Sequence, residues 1–178
     1  MTLARPHFLP TEAQALELVA QPLTREAFAA FGDVIESGQR PPLSINAGMT
    51  ARHHDLAHVD LGPEGGRALV NIFETQPYAL PLRVAMLERH PLGSQAFVPM
   101  DGSSFLVVVA PAGDAVRVED VRAFVTDGRQ GVNYARGVWH HPLVVTHRVA
   151  NFVVVDRGGA GHNYDEIHLP DGVRLVVS

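Results

Sequence analysis

Short apolar runs, each closed within a few residues by glycine, proline or a polar cluster, recur along the chain. Most fit the two-residue period of a strand and not the 3.6-residue period of a helix. Leu16, Leu18 and Ala20 alternate with polar or small neighbours and predict a strand over 16–20. Further strands are predicted over 33–36, 68–73, 80–87, 95–99, 105–110, 139–146, 151–156 and 173–177. The run from Phe105 to Ala110 is apolar without interruption, which predicts burial on both faces. One stretch reads as a helix, residues 24–31. Thr24 is placed to cap it, Phe28 and Phe31 share a face, and Gly32 stops it. Residues 119–125 suit either a short helix or a strand. Residues 37–48 and 126–131 read as loops, with a turn signal at Asn46-Ala47-Gly48. Pro6 and Pro10 interrupt the first fourteen residues, which read as a tail.

The many turns come from 16 glycines and 13 prolines, and apolar residues make up 46% of the 178. Together these predict an all-β fold, a barrel or sandwich of antiparallel strands with one or two short helices. The expected organisation is an N-terminal extension over 1–15 and one domain over 16–178. The chain has no cysteine, which excludes disulfides and thiolate metal sites. Its net charge is -5, and no basic run argues for a nucleic-acid partner. No apolar run is long enough to span a bilayer, and the start of the chain lacks a signal-peptide core. A cytoplasmic location and a small-molecule partner are expected.

Ten histidines change this picture, because several sit among other polar groups in two segments. The first, LERHPLGSQAF over 87–97, carries Glu88, His90 and Gln95 around a Pro-Leu-Gly turn. Glu88 and His90 are two residues apart, so on a strand they share a face. Gln95 rejoins that face only if the turn resets the alternation. The second segment, VWHHPL over 138–143, brings His140. Two imidazoles, a carboxylate and an amide suit a borderline divalent cation such as nickel, zinc, iron or manganese. Without a metal, the same groups serve as acid and base. Arg136, Arg52 and Arg157 are candidate clamps for a carboxylate. Tyr134 and Asn133 are candidate hydrogen-bond partners for a polar substrate. His54 belongs to the polar cluster Arg52-His53-His54-Asp55, and Trp139 reads as core.

The first segment resembles a cupin motif in which Glu88, His90, Gln95 and Gly102 take the motif's places, and the run Gly137 to His140 resembles the second. An amide in the usual glutamate place is a weaker metal donor. More specifically, the chain resembles the bacterial ureidoglycolate lyase family. The runs PLTREAF (22–28), FGDVIE (31–36), HDLA (54–57), LERHPLGSQAF, GVNY (131–134), VWHHPL and DRGG (156–159) carry that resemblance. It implies a cupin-like β-barrel, a homodimer, nickel as cofactor, and cleavage of (S)-ureidoglycolate to glyoxylate and urea in allantoin breakdown. The implied catalytic residues are Glu88, His90, His140 and Tyr134, with Arg136, Asn133, His54 and Arg52 binding substrate. Glu88, His90, Gln95 and His140 form the implied metal set. Competing expectations are another metal-dependent cupin enzyme acting on a small carboxylic acid, and a cupin that binds a small molecule without catalysis. Direct hydrolysis with release of ammonia is a third.

Overall fold

Two sheets face each other and enclose the interior that carries the site, in a computed structural model that describes residues 6–9, 15–62, 65–168 and 174–177. One sheet has five strands in the order Gly32–Ile35, Gly131–Tyr134, Gln95–Pro99, Ala150–Gly158, Arg67–Thr75. All four of its pairings are antiparallel. The other has six strands in the order Asp165–His168, Met86–Arg89, Trp139–His140, Leu106–Ala110, Arg122–Val125, Gln21–Pro22. Only the last pairing, at Gln21–Pro22, is parallel. The expected all-β architecture is therefore the observed one.

The alternation of side chains explains the layers. Val107, Val109 and Phe124 point from the six-stranded sheet toward Phe97, Val132, Phe152 and Val154 of the five-stranded one, forming the inner core. Val108, Ala110, Ala123, Leu87 and Trp139 point the other way into a second core with Leu82, Val84 and Phe8. Leu106–Ala110 is thus buried on both faces, as its unbroken apolar run predicts. A three-stranded sheet of Ala15–Leu18, Arg174–Val177 and Leu82–Val84 covers the outside.

Several expected elements change. The strand over 80–87 breaks at Ala85 into Leu82–Val84 and Met86–Arg89, which belong to different sheets. The parity of burial shows why: Leu82 and Val84 are buried and then Leu87, an odd step that one continuous strand cannot make. The strand over 139–146 is only Trp139–His140, because Pro142 offers no backbone donor to the sheet. The chain touches strands again only through single bridges at Val144 and Val145. The stretch 37–48, read as loop, contains half of a hairpin, Leu43–Ile45 with Thr50–Arg52. Asn46 and Ala47 turn it with positive φ of 53° and 54°. The helix is Arg25–Phe28 alone, with Ala27 N–H donating to Thr24 Oγ1 at 3.2 Å. Residues 119–125 resolve into a 3-10 turn, Val118–Asp120, and the strand Arg122–Val125. His7–Phe8 pairs with Ala115–Val116 and buries Phe8, so this part of the expected tail is packed against the core. The rest of that tail lies outside the described residues, apart from Pro6 and Leu9.

Candidate active site and family

Cross-strand register builds the site. Glu88 lies directly opposite His140, and on its other side opposite Glu166, in one row across the six-stranded sheet. That row starts from Val109, which points into the inner core, so Glu88 and His140 face the interior. From the facing sheet, Gln95 pairs with Tyr134, and both point inward. The turn at Pro91–Leu92–Gly93 does reset the alternation. Gly93 is required there, because a Cβ would stand 2.7 Å from Arg157 Cβ and 2.9 Å from Asp60 O.

One donor atom from each of Glu88, His90 and His140 lies within 4.8 Å of the other two. Each histidine is held in one tautomer by a backbone carbonyl. His90 Nδ1–H donates to Asn163 O at 2.9 Å, and His140 Nδ1–H donates to Val138 O at 3.1 Å. In the neutral rings, Nε2 is then a bare lone pair. Both Nε2 atoms are buried without a hydrogen-bond partner, and so is Gln95 Oε1. His140 Nε2 stands 3.5 Å from Glu88 Oε1, an ion-pair contact too long for a strong hydrogen bond. Three buried acceptors with nothing to accept from, next to a carboxylate, are the donor set of a cation site.

Electrostatics agree with that reading. Burial lowers the His140 pKa, so the ring is neutral at pH 7 despite the opposing pull of Glu88. Burial alone would raise the Glu88 pKa. The imidazoles of His140, His90 and His141 around it outweigh burial and hold Glu88 below the ordinary value. Tyr134 stacks flat on His140, with ring centroids 4.3 Å apart and planes 14° apart. Its pKa is raised by burial and by the Glu88 charge, so it stays a neutral phenol. It packs as a platform for His140 more than as the expected hydrogen-bond partner of a substrate.

A cleft of about 380 Å³ opens over Glu88, walled by Phe73, Glu74, Tyr78, Phe97 and Leu143. Five expected binding residues are not among those lining it. Asn133 alternates to the opposite face of the sheet from Tyr134, and its Nδ2 donates to Asp33 Oδ2 and His58 O. Arg136 is half exposed and pairs with Asp60 at 3.3 Å. Arg52 and His54 line a second pocket, of about 220 Å³, with Arg40 and His53. Arg157 is buried and donates to Leu61 O and Ala160 O, so it braces a loop.

Sequence reasoning missed three residues near the centre. Asn163 fixes His90 through its carbonyl and Leu92 N–H through its side chain. His141 is buried, and its ring lies edge-on to Tyr78 in the cleft wall. Tyr164 lies beside His90 and donates to Glu166. Only the doubled histidine carried a signal; Asn163 and Tyr164 sit in what reads as an ordinary polar turn.

A pH prediction follows from the two buried rings. Burial lowers the pKa of both His140 and His141. Below the unfolded value of about 6.5, the unfolded chain therefore binds protons that the folded chain refuses. Stability must fall as pH falls. The urea midpoint of metal-free protein is expected to be lower at about pH 5.5 than at about pH 7.5, and an equal or higher midpoint at the acid end would contradict it.

Comparison with known proteins places the chain in a family. The sequence profile of ureidoglycolate lyase matches residues 15–176. A ureidoglycolate lyase of Burkholderia mallei (strain NCTC 10229) is 58% identical over 89% of this chain and 93% of its own length. One from Pseudomonas syringae pv. syringae (strain B728a) is 51% identical over 90% and 95%. A solved dTDP sugar isomerase from Desulfovibrio desulfuricans G20 overlaps 80% of this chain and 83% of its own, at 15% identity and a TM-score of 0.39. With a profile match across nearly all the described strands and relatives above half identity over more than nine-tenths of their own lengths, the chain belongs to the ureidoglycolate lyase family.

Proposed function

We infer that this protein is a ureidoglycolate lyase that splits (S)-ureidoglycolate into glyoxylate and urea. Family membership supports the reaction, and the observation that carries the site is the set of three unpartnered buried acceptors beside Glu88. The substrate's central carbon bears a hydroxyl, a carboxylate and a ureido nitrogen. The hydroxyl loses its proton as the C=O bond forms, the C–N bond breaks, and the nitrogen gains a proton to leave as urea. No water is consumed and no redox change occurs.

Glu88 is the ionised group at the cleft floor, held below its ordinary pKa, and we assign it the proton transfer. One carboxylate oxygen takes the hydroxyl proton and, from the same place, returns it to the departing nitrogen. We place the substrate in the cleft with its reacting carbon over Glu88. Tyr134 keeps the His140 ring in plane. Phe73, Phe97 and Leu143 keep competing water from the bond that breaks.

His90, His140 and Gln95 fit a divalent cation, with one Glu88 oxygen, and nickel matches the borderline donors. When bound, it supplies the positive charge that holds the substrate carboxylate and acidifies the hydroxyl. Added Ni²⁺ is expected to raise the urea midpoint through binding to the folded state, with a gain in unfolding free energy of about 2.7 kcal/mol at a hundredfold excess over Kd. His90→Ala should abolish that shift; an equal shift in the variant would move the cation elsewhere. We also assign the protein a homodimeric state and a small-molecule partner alone. Among the described residues no helix is long and apolar enough to cross a membrane.

The direct test is product analysis with racemic ureidoglycolate, with Ni²⁺ or chelator, corrected for spontaneous decay. Glyoxylate with equal urea and no ammonia is the expected result. Ammonia in proportion to glyoxylate would make the enzyme a hydrolase, and no acceleration would remove the assignment.

A further inference from the structure

The lining of the cleft offers no cationic side chain to the carboxylate of the proposed substrate. Its wall contains two carboxylates, Glu74 and Glu88, and no lysine or arginine. The nearby arginines are engaged elsewhere: Arg89 with Asp165, Arg136 with Asp60, and Arg157 with Leu61 O. Arg52 is different. Among the described residues it forms no ion pair and no hydrogen bond, and it sits at the end of the Leu43–Arg52 hairpin, beside Arg40, His53 and His54.

That hairpin is apolar where a surface hairpin is usually polar. Met49 is 86% exposed, and Leu43 and Ile45 are also exposed. Its tip is held in a left-handed turn by Asn46 and Ala47, two non-glycine residues that pay strain for the shape. A second uncovered surface adjoins the cleft. Among the described residues Arg67–Thr75 pairs on one side only, with Ala150–Gly158, which leaves its nine-residue edge open to them. Val70 is 72% exposed there, and Ile72 and Phe73 are exposed as well. Register continues this patch inward along the outer face through Val153 and Val155. The same strand supplies Phe73, Glu74 and Thr75 to the cleft wall.

We propose that these two surfaces are one interface: in a two-fold dimer, the hairpin of each subunit docks on the Arg67–Thr75 edge of the other and brings Arg52 of the partner subunit to the cleft. The proposal rests on the lyase reading above and adds a guanidinium, which binds carboxylate in two-pronged fashion, beside the bound cation. Complementarity supports a second copy as the occupant. Leu43, Ile45 and Met49 match Val70 and Ile72 on the outer face, and the basic end with Arg40 and Arg52 matches the acidic wall with Glu74 and Glu88. An isologous contact of this kind closes with both active sites completed in trans.

The test is complementation between two differently tagged chains, Arg52→Ala and His90→Ala, co-expressed and purified as the mixed dimer. Each variant alone should lose activity, with Arg52→Ala falling about 30-fold or more in kcat/KM, chiefly through KM. In trans, the mixed dimer has one site carrying both defects and one intact, so about half the wild-type kcat/KM returns. In cis, both of its sites are defective and nothing returns, which overturns the proposal. So does Arg52→Ala with wild-type kcat/KM. A second arm reads assembly alone: by sedimentation velocity the wild type should be a dimer, and Met49→Asp or Ile72→Asp a folded monomer. A monomeric wild type, or variants that remain dimeric, overturns the interface. A wild type dimeric through this face but inactive on ureidoglycolate overturns the lyase reading instead, and with it the role given to Arg52.

Discussion

Replacing His140 by Gln is expected to lower kcat/KM by about 100-fold or more, with the protein still folded. The ring is almost fully buried, lies opposite Glu88, and presents an unpartnered Nε2 to the interior. Gln keeps most of the volume under Tyr134, so packing changes little, but it removes the imidazole lone pair. Two functions go with it: a donor for the cation, and one of the groups that holds the Glu88 carboxyl below its ordinary pKa. Both kcat and the Ni²⁺-induced shift of the urea midpoint should therefore fall together. A variant that keeps wild-type kcat/KM and an unchanged shift would remove His140 from the site altogether.

The second large effect is on stability. Phe28→Ala is expected to cost about 3–5 kcal/mol, read from urea unfolding. Arg25–Phe28 is a single turn, too short to persist without packing. Phe28 is fully buried and its ring lies within 5.8, 5.9 and 6.2 Å of those of Phe31, Phe124 and Tyr134. A loss of this size is a large fraction of the stability of an ordinary domain, about 5–15 kcal/mol. The cavity would open behind Tyr134, which in turn supports His140. Activity of whatever remains folded should fall too. A loss below about 1 kcal/mol would mean that the aromatic cluster closes over the gap.

How much of this was legible beforehand differs from element to element. The segment 95–99 is a short apolar run between turn residues and forms the strand Gln95–Pro99 with those bounds. Gly131–Tyr134 was invisible as a strand, since glycine and asparagine disfavour one, and it exists because strands on both sides pair with it. Trp139–His140 was overcalled because apolar content after Pro142 looks like strand, while the missing donor is felt only in a sheet. At the site, Glu88, His90 and His140 were found because unusual residue types recur at informative spacing. Asn163 and His141 act through a carbonyl and through burial, which leave no mark on residue type.

By itself, then, the chain's pattern determined an all-β fold, a short capped helix, a central strand buried on both faces, and the residue types of a cation or acid–base site. Those are local properties: period, turn chemistry and side-chain type act over a few residues. The tertiary structure alone decided that Glu88 stands opposite His140, that Asn133 turns away from Tyr134, and that Arg136 is tied to Asp60 while Arg52 has no partner among the described residues. Register between strands distant in sequence makes those decisions, and a slip of one residue would reverse each of the facings.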